Sequence, residues 1–305
     1  MNTRKRKMDL SVDKISEILG KYFNISSVEK DLPFGILLPQ FYQSAGINIA
    51  DYFYSGFFNN YLGLMIKNSE NVKHVYGTVF LNNAIINDLI VRNVTDILIF
   101  THHPMEDETS GRGFLPLQRE VLSKMKENRI SVYSLHSPLD YHDHISTSLS
   151  FGKAMGLKNT GRFSKYLTGY IGVYGELEEA VSFNEFINLV RTVVGVSEVH
   201  YNQNSRTVRR VGIIPGGGTD VSFMREVISL GCDTYLTGEY YSRLTIPFGD
   251  EERHKFDEVK SGLPINMVEA SHYATEKPVM VNEIADFYKE YNIPYRFIEQ
   301  DNPWY

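Results

Sequence analysis

The stretch that decides the fold is DILIFTHHP, residues 96–104. Its apolar part has the length and composition of a buried β-strand, and two histidines and a proline follow it directly. Because open α/β sheets bind ligands at the carboxyl ends of their strands, His102 and His103 are expected to bring two imidazoles to such an edge. Only 9 of the 305 residues are histidines. The pair therefore indicates where a metal ion would bind.

Two later segments repeat this arrangement. The apolar run 130–135 leads into His136 and then, four positions on, into Asp140. The run 265–270 leads, after one serine, into His272 and then Glu276. Each histidine taken alone is more often a turn residue or a surface hydrogen-bonding group. Three histidines that all follow buried strands, with carboxylates nearby, favour a site for zinc, manganese or iron.

Apolar runs of strand length alternate with helical periodicity along most of the chain, which predicts βαβ units. Residues 24–64, rich in Phe, Tyr and Gly, show no clean period and predict irregular structure with short strands. The predicted fold class is α/β: two related lobes with mostly parallel or mixed sheets, helices packed on them, and a metal site between the strand ends. The predicted strands are 75–81, 97–101, 130–135, 170–174, 208–214, 234–236 and 265–270. The predicted helices are 9–23, 84–92, 115–128, 146–155, 182–195 and 221–230.

The domain organisation follows from a break expected near residues 156–169. We expect a basic disordered tail over residues 1–8 and a first α/β lobe over 9–160 that carries His102, His103 and Asp140. A second α/β region over 161–305 would carry His272 and Glu276. Its last segment is a candidate to return to the first lobe.

Composition excludes several classes of function. Lys and Arg number 31 against 37 Asp and Glu, a net charge of −6, so no overall positive field attracts nucleic acid or an anionic membrane. The single cysteine, Cys232, allows no intrachain disulfide and no thiolate-rich zinc site. It reads as a small buried hydrophobe. Any metal must bind nitrogen and oxygen, and we expect a soluble, cytoplasmic protein with neither membrane nor nucleic-acid partner.

Two further turns follow predicted strands. Gly216, Gly217 and Gly218 connect a strand to a helix, where exposed N–H groups suit an anion. The segment fits neither a Walker loop nor the dinucleotide fingerprint, so a tight turn without a ligand is the favoured interpretation. Glu239 ends the turn Thr-Gly-Glu and is expected either to orient substrate or to hydrogen-bond a metal-bound histidine. A helix-capping role is the simpler alternative.

As a set, these motifs resemble the dinuclear metal-centre hexameric family often labelled type-two GTP cyclohydrolase I. The resemblance covers about residues 75–276 and rests on HHP, HSPLD, GGG, TGE and SHYATE, at residues 102–104, 136–140, 216–218, 237–239 and 271–276. It implies two α/β lobes, a toroidal homohexamer and two divalent ions per subunit, with zinc, manganese and iron as the candidates. The metal ligands that it implies are His102, His103, Asp140, His272 and Glu276.

The resemblance also implies finer roles. Asp140 or Glu276 would bridge the ions, and His136 would be a proton carrier or an outer ligand. Departures from the pattern affect the substrate pocket: Ser137 takes the second place of the His-Thr-like motif, and the family's Asp-Asn-x-Gly-Leu stretch appears only loosely at residues 59–64. Extensions precede and follow the matched motifs.

Three functions remain open from the sequence. The first is a dinuclear metal hydrolase acting on a small molecule. For GTP as substrate, a hydroxide activated by the ions would attack C8 of the purine, while His136 passes protons. The second is a phosphoesterase with the same metal site. The third, from another class, is a non-catalytic ring-forming regulatory or interaction protein whose ions are structural.

Overall fold

The structure is a computed structural model that describes residues 10–28, 30–108 and 113–302. The predicted basic tail, residues 1–8, lies outside these ranges. Within them, no helix combines the length and the apolar character required to cross a bilayer.

The secondary structure alternates helices and strands, numbered here in chain order. The helices are α1 Val12–Tyr22, α2 Leu32–Ser44, α3 Asn83–Val91, α4 Arg119–Glu127, α5 Ser137–Tyr141, α6 Thr147–Ala154, α7 Phe183–Val194, α8 Val221–Ser229, α9 Pro247–Val259, α10 His272–Val281 and α11 Glu283–Glu290. The strands are β1 Gly63–Ile66, β2 His74–Phe80, β3 Ile97–His103, β4 Glu106–Glu108, β5 Gly113–Leu115, β6 Ile130–Ser134, β7 Lys158–Tyr166, β8 Gly169–Ser182, β9 His200–Asn202, β10 Thr207–Gly217, β11 Thr234–Glu239, β12 Asn266–Glu269 and β13 Tyr295–Phe297.

The chain divides into two compact units. The first unit consists of the residues up to Glu106, Pro116–His136 and Ile284–Gln300. Its five-stranded sheet has the order β1-β6-β3-β2-β13. β6, β3, β2 and β13 run parallel, and β1 is antiparallel to β6. Every residue of β3 and β6 is buried, as expected for central strands of a parallel sheet covered on both faces.

The second unit consists of Asp107–Leu115, Ser137–Glu283 and the residues from Asp301. Its six-stranded sheet has the order β7-β8-β10-β11-β12-β9, in which β10, β11 and β12 run parallel. Met224, Tyr235 and Met267 lie in its buried apolar core. The predicted break at residues 156–169 falls inside this unit, and Asp140 belongs to it. These two sheets, with their helices, confirm the predicted α/β class.

One prediction about the first unit is wrong in part. Residues 24–64 contain a regular helix that the prediction did not include, because α2 occupies thirteen of them. Asp31 caps this helix with its side chain, and a proline stands in the first turn. Phe34, Leu38 and Tyr42 are buried at four-residue spacing on one face. Pro39 and the apolar residues on the other faces hid this period in the sequence.

Several predicted element bounds also change. β3 continues through His103, so both histidines end the strand instead of following it. The helix predicted over residues 115–128 begins only at Arg119, because Gly113–Leu115 forms β5. The strand predicted at 170–174 is the early part of the fourteen-residue β8. These shifts move no candidate ligand away from a strand end.

Candidate metal centre

Three imidazoles gather in the first unit, where β3 and β6 end. His102 and His103 are the last residues of β3, and His136 follows β6 by two positions. Their ring centroids lie 4.5, 5.1 and 4.9 Å apart for the pairs 102–103, 102–136 and 103–136. Each ring offers a nitrogen within 4.8 Å of those of the other two. We call His102, His103 and His136 the imidazole cluster.

Hydrogen bonds fix two of these rings. The Nδ1–H of His102 donates to the carbonyl oxygen of Leu135 at 3.0 Å. His136 has its Nδ1 2.9 Å from an oxygen of Asp31. Because a carbonyl or carboxylate oxygen only accepts, both rings carry their proton on Nδ1, and in the neutral ring the lone pair lies on Nε2. His103 stacks on Phe80, with centroids 4.4 Å apart.

In the second unit, one histidine lies between two carboxylates. His272 begins α10, and its Nδ1 donates to Oε1 of Glu239 at 2.9 Å. Its Nε2 lies 3.1 Å from Oε1 of Glu276, one helical turn further along α10. All three residues are buried. The backbone N–H of Arg243 donates to the other oxygen of Glu239. The predicted contact of Glu239 with this histidine is therefore present.

The glycine run packs against this group. A Cβ on Gly216 would lie 2.2 Å from Oε1 of Glu276 and 2.8 Å from Nε2 of His272. Gly216 also has φ +65°, a conformation that favours glycine. A Cβ on Gly238 would lie 2.7 Å from the Cα of His272. The absence of side chains at Gly216 and Gly238 thus leaves room for the start of α10. This close packing accounts for both glycines, so no bound anion is needed to explain them.

Asp107 joins this group although nothing in the sequence analysis selected it. Asp107, in β4, is buried and has a carboxylate oxygen within 4.8 Å of ligand atoms of Glu239 and His272. The only signal was its place in the acidic run 106–108, shortly after the two histidines. We call Asp107, Glu239, His272 and Glu276 the carboxylate cluster. Asp140, in α5 of the same unit, accepts a hydrogen bond from the Thr147 hydroxyl at 3.2 Å.

The electrostatics of the carboxylate cluster favour a cation. Burial lowers the pKa of the His272 imidazole, but Glu276 and Glu239 outweigh burial and raise that pKa well above its ordinary value. Buried carboxylates are costly without a positive partner. A proton on the imidazole or a metal ion satisfies this demand.

The donors also fit a metal ion in their spacing. Two ligand atoms each about 2.1 Å from one ion, at about a right angle, lie about 3 Å apart. The His272 Nε2 and Glu276 Oε1 atoms are 3.1 Å apart. Nitrogen and oxygen donors of this kind accept zinc, manganese or iron. Both clusters are therefore groups of His, Asp and Glu that could hold metal ions.

Comparison with protein families decides the relationship. Residues 58–303 match the model of Duf34/NIF3 (NGG1p interacting factor 3). The chain belongs to the Duf34/NIF3 family. All five ligands implied by the earlier resemblance, together with His136 and Glu239, lie inside the matched residues.

Curated relatives carry a name that agrees with the resemblance. A protein of Haemophilus influenzae named GTP cyclohydrolase 1 type 2 homolog is 26% identical over 244 residues, which cover 79% of this chain and 90% of the relative. A protein of Clostridium perfringens with the same name is 26% identical over 230 residues, 72% of this chain and 80% of the relative.

Solved structures share the fold. A protein described as ybgI, of unknown function, has a TM-score of 0.66 at 19% identity and covers 96% of this chain and 99% of its own. Reduced HcgD from Methanocaldococcus jannaschii has a TM-score of 0.61 at 17% identity, with 96% and 99% covered. At these identities the likeness supports the two-lobed α/β fold alone.

Proposed function

We propose that this protein is a dinuclear divalent-metal hydrolase. The observation that carries the proposal is the position of His272, whose Nδ1 donates to Glu239 while its Nε2 lies 3.1 Å from Glu276. A carboxylate behind the outer nitrogen of a histidine is the usual support of a metal-bound imidazole. The proposed ligands are His102, His103, Asp140, His272 and Glu276.

The number of ions in this proposal rests on the family resemblance. A carboxylate has two oxygens and can bridge two ions, and only the second unit supplies carboxylates among the five proposed ligands. We propose Glu276 as the bridge. Imidazoles bind one ion each and would be terminal ligands.

When bound, a pair of divalent ions supplies Lewis acidity and lowers the pKa of water toward neutrality. The residues of the chain would orient the ligands and move the proton. In this proposal Glu239 holds the imidazole of His272 in one tautomer and orientation. His136 receives and returns the proton that hydrolysis moves. The proposed ligands His102, His103, Asp140 and Glu276, together with His272, would hold the ions.

The proposed substrate is a nucleotide. This part of the proposal rests on the name GTP cyclohydrolase 1 type 2 homolog that relatives carry, since metal-activated water suits purine ring opening and phosphoester cleavage equally. We also propose a toroidal homohexamer, which rests on the family resemblance and is tested by light scattering on the purified chain.

The experiment compares three proteins purified without chelator: the native chain, Asp140→Ala and Asp143→Ala. Asp143 is an exposed carboxylate three positions further along the same segment, so it serves as the matched control. Metal content is counted, and GTP and generic phosphoesters are screened with Mn²⁺, Zn²⁺ and Fe²⁺. We expect two ions and turnover in the native chain and in Asp143→Ala.

Asp140→Ala should lose turnover by about a hundredfold or more, because a lost ligand removes an ion from the reacting centre. Turnover that survives in this variant would contradict the proposed mechanism. Two bound ions in a native chain that turns over none of these substrates would instead favour the ring-forming regulatory protein.

A further inference from the structure

A residue that precedes the family-matched region contacts one ring of the imidazole cluster and fixes which of its nitrogens carries the proton. The match begins at residue 58, whereas Asp31 and the helix α2 that it caps come earlier in the chain. Asp31 is 1% exposed. One of its oxygens accepts the backbone N–H of Phe34 at 3.2 Å, and the other lies 2.9 Å from Nδ1 of His136. Two donors thus compensate its buried charge.

The same helical turn encloses the imidazole cluster. The Phe34 ring meets His136 edge-on, with centroids 4.7 Å apart and planes at 86°. It meets His103 in the same way at 5.8 Å and 78°. Phe34 is buried, so its ring restricts the rotation of both imidazoles. The turn therefore provides both a polar and an apolar constraint on His136.

Geometry alone decides which nitrogen of His136 carries the proton. A carboxylate oxygen cannot donate, so the hydrogen bond to Asp31 requires a proton on Nδ1. The Nε2 atom is then the lone-pair nitrogen of the neutral ring, the form that binds a cation or receives a proton. The lone pair also becomes more basic when a carboxylate accepts from the opposite nitrogen.

We propose that Asp31 is a positioning residue that holds His136 in the Nδ1–H tautomer, so that Nε2 acts at the imidazole cluster. The role of Nε2 in proton transfer rests on the proposed function. The tautomer itself does not, since it is a property of the protein without metal. Asp31 thereby gives this chain a support for His136 from outside the family-matched region.

Asp31→Asn is the decisive variant. Asparagine keeps one oxygen, which can still cap α2, and presents an N–H₂ group where Asp31 presents its second oxygen. That group donates to Nδ1 and so moves the proton of His136 to Nε2. Asp31→Ser retains a good helix cap but is too short for the contact, and thus separates capping from tautomer control. Asp220→Asn, at the exposed cap of α8, is the matched control.

The readouts are the ¹⁵N chemical shifts of the His136 ring in the metal-free protein near pH 8.5 and the affinity for Mn²⁺ or Zn²⁺ by calorimetry. We expect an Nδ1–H tautomer in the native chain and an Nε2–H tautomer in Asp31→Asn. The metal affinity of that variant should stay native, because His136 is not one of the five proposed ligands. Asp31→Ser should show a mixture of tautomers, and Asp220→Asn should match the native chain in both readouts.

The outcomes separate this inference from the proposed function. An unchanged Nδ1–H tautomer in Asp31→Asn, in a protein whose circular dichroism is native, would overturn the role of Asp31. A tautomer change in Asp31→Asn, together with a native chain that binds no metal, would support Asp31 as the positioning residue. The same result would contradict the proposed dinuclear hydrolase.

Discussion

The imidazole cluster and the carboxylate cluster both bury metal-binding side chains, but they differ in charge and in what holds those side chains. The imidazole cluster lies at the ends of two parallel strands, where Leu135 and Asp31 hold the rings of His102 and His136. The carboxylate cluster gathers three acidic side chains around one imidazole at the start of α10. The three buried carboxylates of the carboxylate cluster require a positive partner, whereas the imidazole cluster contains no acidic residue.

This difference also assigns the chemistry of the two clusters. Imidazoles are terminal ligands, but a carboxylate has two oxygens and can bridge two ions. In the proposed function, a carboxylate would therefore bridge the ions and the imidazoles would be terminal ligands. Each prediction below tests one side of this comparison.

The largest expected effect follows from removing the proposed bridge. Glu276→Ala should reduce the metal content from two ions per chain to none, because both ions lose a ligand and their shared negative charge. His102→Ala should remove only one ion. Elemental analysis of both variants, purified without chelator, makes the comparison. Equal losses in the two variants would show that the clusters do not differ as described.

An intermediate effect is expected at the glycine turn. Gly216→Ala places a Cβ against Glu276 and His272 and strains a backbone with φ +65°. We expect a loss of about 1–2 kcal/mol in the free energy of unfolding from the backbone conformation, together with weakened metal binding. Denaturant unfolding and calorimetric titration measure the two effects.

Gly231→Ala is the control for that strain. Gly231 has φ +75°, but a Cβ there would meet no atom within 4 Å. Gly231→Ala should lose about as much free energy of unfolding as Gly216→Ala does from its backbone conformation, and it should retain native metal affinity. If both glycine variants bind metal equally well, the close packing of the turn against α10 has no role in the centre.

The smallest effect is expected at the opposite ends of the strands that carry the imidazole cluster. Asp96 precedes β3 and is hydrogen-bonded by Arg129, which precedes β6, and by Lys73. The Arg129 contact first, and then Lys73, lower the pKa of the Asp96 carboxyl below its ordinary value. Because the pair is solvent-accessible and screened, Asp96→Asn should cost less than about 1 kcal/mol.

The lowered pKa of Asp96 determines how its contribution to the free energy of unfolding changes with pH. The native chain binds fewer protons at Asp96 than the unfolded chain, so the contribution is complete above about pH 4, the ordinary range of an aspartate. It is lost as the pH falls through the lowered pKa of the folded state. The stability difference between native chain and Asp96→Asn should therefore shrink in acid, while metal affinity at neutral pH stays unchanged. A change in affinity would contradict the separation of the two strand ends.

The sequence allowed the α/β class and three histidine-bearing strand ends to be predicted, because a buried parallel strand is a continuous apolar run. His102, His103, His136 and His272 follow from that rule, and Asp140 and Glu276 were selected because each lies four residues after such a histidine. Helix α2 was missed because Pro39 and apolar residues on several faces obscured its period. Asp107 and Asp31 could not be assigned a role, since their partners are brought close only by the fold.

The central proposal is that His102, His103, Asp140, His272 and Glu276 hold two divalent cations. Anomalous diffraction from crystals of chelator-free protein, recorded on both sides of the absorption edge of the bound metal, tests it most directly. The account predicts two peaks, with His102, His103, Asp140, His272 and Glu276 as protein ligands and Glu276 at both. A map without peaks, or one peak bound by the imidazole cluster alone, would contradict it.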